Sequence, residues 1–346
     1  MQLTFESILL SMFQRITGER SAQGVYYILR GKRSGQTLQD IEYYQLKSFY
    51  SLLPNLSMTN FQQAIDRLAT EGFIYFKDQI VYITKKGKES AERNDWRFNG
   101  WEYRGKEREF GKRLALVVQT LSHVRVGEKM FMPIQKELPV QQFVKEFLRR
   151  ELRPMSELSS MLGSELERAM DQTGLTEVQC TIFTCRLTGY GFTAFTWEQL
   201  AEQLKVPNTS IQLMYLESLH IVLDFINDRS EFPLLNHLAT GCRVDTYLTH
   251  SAERTRKLFE HGYTIEQISS LRQLKVSTIE DHFVEMAANM KFFPFETFVS
   301  QEQIDEVWRQ IEQLQTKRLR RLKEQCDELT YFQLRLIIIH GKRVNS

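Results

Sequence analysis

Cysteine is scarce in this 346-residue chain: Cys180, Cys185, Cys242 and Cys326 are the only four. A zinc site wants two close Cys/His pairs, and only Cys180 and Cys185 stand near each other, so no metal is expected. The thiols are expected to lie buried in a reducing cytoplasm. Proline is sparse as well, with seven residues, and no Gly/Ser-rich stretch marks a flexible linker. No apolar run approaches the ~20 residues that cross a bilayer, so no membrane is expected as a partner. The opening MQLTFESILLSMFQR carries acid early and lacks a basic segment, and is not expected to be a secretory leader. Charge of one sign is missing too: the formal excess is +2, far from the balance of a strongly basic nucleic-acid binder. No G-x-x-x-x-G-K-[ST] occurs, and RGKRSG at 30–35 lacks the first glycine at the needed distance, which excludes a phosphate-cradling motor loop. H-E-x-x-H, H-x-x-E-H and G-x-S-x-G are absent as well. The chain is therefore expected to be no enzyme, with no catalytic residues, no cofactor and no small-molecule substrate.

What is present is helical periodicity. About 42% of residues are apolar, with 23 Phe and 13 Tyr, enough to fill real cores. The one clear strand signal is FIYFKDQIVYITKKG, 73–87, where two alternating β-rich runs flank Lys77-Asp78-Gln79 and predict a tight hairpin. Before it, SMTNFQQAIDRLATEG predicts a helix capped by Ser57 and ended by Gly72, with Phe61, Ile65 and Leu68 on one face. A helix followed by a two-stranded wing is the end of a winged helix-turn-helix. EREFGKRLALVVQTLSHV and PVQQFVKEFLRREL predict connector helices, the second opened by Pro139 and closed by Pro154. A second helix-turn-helix is expected where Thr196 and Gln199 start a helix, Lys205-Val206-Pro207 turns, and Asn208 or Thr209 caps the next. A third lies in GYTIEQISSLRQLKVSTIEDHF. There Thr264 and Gln267 form a capping box, and Ser277 with Glu280 is expected to form another at the start of the reading helix. QEQIDEVWRQIEQLQTKRLRRLKEQ is expected to be one long helix. LTYFQLRLIIIHGKRV is a last helix, expected to stop at Gly341. The fold expected is mainly α, with several winged-helix and helix-turn-helix modules and one small β-hairpin wing near the N-terminus.

TRKLFEHGYTIEQISSLRQLKVSTIEDH and LTYFQLRLIIIHG resemble the helicase-associated helix-turn-helix domain at the C-terminus of some RecQ-family DNA helicases. Leu29-Arg30-Gly31 and Thr84-Lys85-Lys86-Gly87, with the helix and hairpin between them, are similar to the winged-helix (RQC) domain of the same helicases. The whole chain resembles the YpbB family of Bacillus-type bacteria, which implies an accessory protein associated with a RecQ-type helicase. The implied organisation is an RQC-like winged helix over 1–95, a helical connector over 96–170, a sigma-like helix-turn-helix over 171–243, and the helicase-associated domain with C-terminal helices over 244–346. The departure is the missing motor.

A helix reads DNA by offering donors, Arg and Lys first, then Asn and Gln. The third module's candidate face is Ser277, Thr278, Glu280, Asp281 and His282, with Glu285 beyond, and its acids would repel phosphate. The second module offers Asn208, Thr209, Ser210 and Gln212 and no cation. Arg30, Lys32 and Arg33, with Lys85, Lys86 and Lys88, are the candidate DNA-binding residues, as sequence-independent backbone contacts. Lys317, Arg318, Arg320, Arg321 and Lys323 form a further basic patch for nucleic acid or an acidic partner. Arg104, Lys106, Arg108, Lys112 and Arg113 alternate with Glu102, Glu107 and Glu109 and are expected to form a salt-bridged surface. Trp96, Phe98, Trp101 and Tyr103 are expected to pack the connector. The function expected is a non-catalytic adaptor acting with a RecQ-type helicase in DNA repair or recombination, in the cytoplasm at the nucleoid, with moderate to weak DNA contact. The alternative is a helix-turn-helix transcription regulator that binds a defined DNA site.

Overall fold

The computed structural model describes residues 4–91, 96–244, 248–290 and 292–344. The first segment runs α1 (Phe5–Ile16), α2 (Ala22–Leu29), α3 (Gly35–Tyr43), α4 (Met58–Thr70), a hairpin of β1 (Ile74–Lys77) and β2 (Ile80–Ile83), and α5 (Lys85–Ala91). Next come α6 (Gly100–Tyr103), α7 (Glu107–Arg125), α8 (Leu138–Arg150), α9 (Met155–Gln172), α10 (Glu177–Cys185), α11 (Trp197–Leu204), α12 (Asn208–Ile226) and α13 (Pro233–Leu238). The chain finishes with α14 (His250–Glu260), α15 (Ile265–Arg272), α16 (Val276–Asn289), α17 (Gln301–Leu314), α18 (Leu319–Gln325) and α19 (Tyr331–Val344). The fold is mainly α, and the hairpin is the one sheet among the described residues. Two compact units result: Met1–Leu9 with Ser90–Val244, and Leu10–Glu89 with Asp245–Ser346. The stretches expected to form a winged helix and a helicase-associated domain thus supply most of one unit, and the two middle stretches most of the other.

In the unit of residues 10–89 and 245–346, Ser57 caps α4 by accepting from the Asn60 N–H, and Gly72 ends it at φ +74°. Phe61, Ala64, Ile65 and Leu68 form its buried stripe, and the Phe61 ring lies 5.2 Å from that of Tyr26 on α2. The hairpin turns on two residues, Asp78 and Gln79, both at positive φ, the geometry that matches strand twist in a two-residue loop. Its base is locked by Thr84, whose hydroxyl donates to the Gly72 carbonyl at 2.8 Å and accepts from the Gly87 N–H. A Cβ on Gly87 would stand 2.3 Å from the Phe73 carbonyl oxygen, so the Thr-x-x-Gly spacing is a packing requirement. Phe259, Phe283, Phe298 and Phe332 pack edge to face around α16 and form the aromatic core of the C-terminal part.

Two expectations fail here. The long helix breaks: α17 ends at Gln315, which takes the left-handed conformation at φ 49°, and α18 restarts at Leu319. Gly341 does not stop the last helix, which runs on to Val344. A Cβ there would stand 2.1 Å from the Trp308 indole, so this glycine serves close packing and is no helix end.

In the other unit, α7 packs against α8, α9 and α12 around Phe110, Leu114, Val117, Phe147 and Leu219. A satellite core of Ile182, Leu200, Val206 and Ile211 holds α10, α11 and α12 together as a helix-turn-helix. This module and the third share one backbone plan. Thr196 and Thr264 each close a capping box with a glutamine three residues on, and Lys205 and Gln273 each turn the chain at positive φ. The expected caps at the next helix do not form. Pro207 holds the N-cap of α12 and Lys275 that of α16, neither with a side-chain hydrogen bond, so the STIE box is absent and Ser277 lies inside the helix. The turn places its extended residue one or two positions earlier than the hydroxyls do. The four cysteines are free, Cys242 and Cys326 buried and Cys180 and Cys185 half-buried, and no group of three metal-ligating side chains occurs among the described residues.

Candidate nucleic-acid interface

Three helices hold the reading position of a helix-turn-helix: α4, α12 and α16. On α16 the acids that sequence alone sets on an outward face are internal partners. Asp281 lies at the N-terminal end of α3, close enough that a Cβ on Gly35 would stand 2.9 Å from its carboxyl. There it meets the positive end of that helix. Arg335 of α19 donates to Asp281 at 2.6 Å and to the Gln39 amide oxygen at 2.7 Å, and the Tyr43 hydroxyl donates to the Arg335 carbonyl. Glu285 is 5% exposed and accepts from the Thr249 N–H and hydroxyl. Glu280 is half-buried, and burial pushes its carboxyl up despite Arg335 nearby. Of the candidate face Ser277 is exposed, Thr278, Glu280 and Asp281 are half-buried and His282 is buried. The helix is engaged by α3 and α19 and does not present a groove-probing surface.

His282 is buried as well. Arg272 donates to the Thr255 hydroxyl, 2.9 Å from His282 Nδ1, and also faces that nitrogen at 3.4 Å; since a guanidinium can only donate, Nδ1 accepts and the ring is neutral. Burial first, then the Arg272 charge, pull its pKa down to about 4, against Asp281. The fold therefore holds the unprotonated ring while the unfolded chain, with an ordinary histidine pKa of ~6.5, takes up a proton. The stabilisation is complete above that value and is lost as pH falls toward about 4. Urea unfolding is expected to show this unit losing on the order of 1–2 kcal/mol over that interval, and His282→Gln to remove that dependence. An unchanged slope in the variant would reject the assignment to this ring.

On α12, Ser210, Ile211, Leu213 and Leu216 through Leu223 are buried, and among the first turns only Thr209 and Gln212 are exposed. The amide of Asn208 donates to Glu198 and its oxygen accepts from Gln212. This helix has no open reading face.

On α4 the outward residues are exposed: Thr59, Asn60, Gln62, Gln63, Asp66 and Arg67. Asn60, Gln63 and Arg67 recur at i, i+3 and i+7 and share one stripe. Amide and guanidinium groups are the donors that base edges accept. Asp66 is partly offset by the Gln62 amide at 2.9 Å. The basic groups named from sequence lie at the two ends of this 13-residue helix, which is ~20 Å long. Arg30 reaches its N-terminal side, donating to the Pro54 carbonyl at 3.1 Å and to Tyr26, with Lys32 and Arg33 exposed beyond. Lys86 reaches its C-terminal side, donating to the Glu71 carbonyl at 2.7 Å, beside exposed Lys85 and Lys88 on α5. The stripe itself escapes sequence reasoning that follows only the apolar face. Its signal is the polar positions between Phe61, Ile65 and Leu68.

The C-terminal basic patch is largely spoken for. Arg318 donates to the Gly18 carbonyl and neighbours Glu19, and Lys323 donates to the Asp327 and Leu329 carbonyls. Lys317 lies over the Trp308 ring, and Arg320 and Arg321 stand beside Glu324 with their side chains largely in solvent.

The open face of α4 sits in the same unit as the module that comparison recognises. A family described as a helix-turn-helix domain matches residues 251–338. The chain is similar to protein YpbB of Bacillus subtilis (strain 168). The two are 26% identical over 346 residues, 96% of each chain, so the likeness runs through both units. No solved structure matches. The domain and this relative together support a DNA-associated protein. No helix among the described residues is long and apolar enough to cross a membrane.

Proposed function

We propose that this chain is a non-catalytic accessory subunit that binds DNA through α4 and its flanking lysines and works with a RecQ-type helicase in DNA repair or recombination, in the cytoplasm at the nucleoid. The observation that carries the reading is the contrast among the three reading helices: α16 and α12 are closed by their own units, and α4 is open with cations at both ends. Lysines that meet phosphates give sequence-independent, salt-sensitive affinity. The helicase partner follows from the likeness of both end segments to helicase modules in a sequence without a phosphate-binding motor loop. The test is co-purification of the full chain with a RecQ-type helicase, followed by unwinding of a forked duplex with and without it. A stable complex and a changed unwinding rate are expected. No complex together with an unchanged rate would overturn the proposal. One observation favours a second reading, a transcription regulator: the amides of Asn60 and Gln63 can read bases. A footprint at one defined sequence would select it.

A further inference from the structure

A cleft of about 330 Å³ opens in the other unit, between α7 and the helix-turn-helix of α10, α11 and α12. Three cations line it: Arg108 and Lys112 from α7, and Arg186 from the end of α10. No aspartate or glutamate among the described residues lines it. The nearest acids hold the cations from outside. Glu107 stands 2.5 Å from Arg108, Glu137 pairs with Lys112, and Glu198 lies near Arg186. Lys112 and Glu137 are both more than a third exposed, and an ion pair in solvent is worth roughly 0–1 kcal/mol, so Lys112 can turn to a stronger anion; Arg108 keeps its buried partner Glu107, and its guanidinium carries five N–H donors. Arg186 is half-buried and, among the described residues, has no carboxylate in hydrogen-bond contact. It donates to the Phe195 carbonyl and lies over the Trp197 ring, 4.0 Å from its centroid. Burial lowers its pKa, the mark of a charge short of a counter-charge.

The rest of the lining is aromatic and amide. Trp197 and Tyr215 meet edge to face at 5.4 Å, and Gln212 reaches the rim. The floor depends on one glycine. Gly111 lies mid-helix in α7, where glycine costs about 1 kcal/mol relative to alanine. A Cβ at Gly111 would stand 2.8 Å from the Tyr215 hydroxyl. The helix tolerates glycine here because the tyrosine comes that close. A guanidinium pair and an ammonium suit a phosphate, and an aromatic wall suits a base. The volume is at the lower end of small-ligand sites.

We propose that this cleft binds a nucleoside phosphate, either free or as one unit of a DNA strand, with the phosphate on Arg108, Lys112 and Arg186 and the base against Trp197 and Tyr215. The site lies in a different unit from the α4 face, so either can fail while the other stands. The test titrates the full chain with ADP and, separately, with a 5′-phosphorylated oligothymidylate, following tryptophan emission. Trp197→Phe checks the source of the signal, since three other tryptophans remain. Saturable quenching is expected, lost with Trp197→Phe and weakened at least tenfold by Lys112→Gln with Arg186→Gln. Lys112→Glu alone, a surface change, is expected to act in the same direction if the double variant does not fold. Loss of ADP binding with oligonucleotide binding intact assigns the site to a free nucleotide, and loss of both assigns it to a strand. No saturable binding of either probe, or binding unchanged in folded variants, would overturn the proposal.

Discussion

Replacing Asn60, Gln63 and Arg67 together by alanine is expected to lower affinity for duplex DNA about a hundredfold at fixed salt. Each donor that meets a base edge or phosphate is worth ~1–3 kcal/mol, and a hundredfold loss, ~2.7 kcal/mol, asks for only part of that sum. The three side chains are exposed and share a stripe, and alanine is the best helix former, so α4 should stay folded with Phe61, Ile65 and Leu68 in place. The matching control is Ser277→Ala with Glu280→Gln on α16. Because that helix is held by α3 and α19, the control should move affinity less than twofold. Fluorescence anisotropy with a labelled duplex measures both. If the control weakens binding and the α4 variant does not, the interface belongs on α16.

The second large effect lies where the connector packs on α12. His220→Ala is expected to destabilise its unit by about 2–4 kcal/mol, from the cavity left by a fully buried ring and the polar groups left without its neighbourhood. His220 and Glu107 are essentially without solvent contact. The Asn99 N–H donates to His220 Nδ1 at 3.0 Å, so Nε2 carries the hydrogen and faces a Glu107 oxygen 3.7 Å away. Tyr103 stacks on the ring at 5.2 Å and Phe98 meets it edge-on. Burial by itself would raise the Glu107 carboxyl; His220 and then Arg108 outweigh it and hold the group below its usual range. Glu107 therefore stabilises the fold above the ordinary carboxylate pKa of ~4.3, and that contribution disappears as pH falls through its lower folded value. Alanine at 220 leaves the carboxylate buried without this neighbour and the Asn99 N–H without an acceptor. Glu107→Gln removes the charge itself and should cost less, about 1–2 kcal/mol. Urea unfolding near neutral pH separates the two. A loss below 1 kcal/mol for His220→Ala would mean that the ring is merely filling space.

Local chemistry was legible in the sequence and distant pairing was not. The Ser57 cap, the capping boxes at Thr196 and Thr264, the Asp78-Gln79 hairpin and the apolar stripe of α4 each depend on residues within a turn of one another, and each is found where expected. The mainly α fold follows from them. The misreadings at Gly341 and on α16 have one cause. Gly341 looks like a stop until Trp308 is seen against it, and Asp281 looks like an outward acid until Arg335 and α3 arrive from opposite ends of the chain. The break at Gln315 had no breaker residue to announce it. The α4 stripe is spelled in the sequence at Asn60, Gln63 and Arg67, yet with two neutral amides and one cation it does not stand out as a basic cluster.

One unit is built from residues 10–89 and 245–346, with all but the first nine residues of the other encoded between them. A ribosome adding ~5–20 residues per second leaves the first stretch waiting roughly 10–50 s before α16 and α19 emerge to cover α3. During that interval α3 has neither helix to pack on, and the Tyr43 hydroxyl lacks the Arg335 carbonyl it donates to. The nascent chain thus finishes its insert before its frame, and a message cut short after α13 yields an N-terminal half with an unmet apolar surface, a natural substrate for chaperones and proteases.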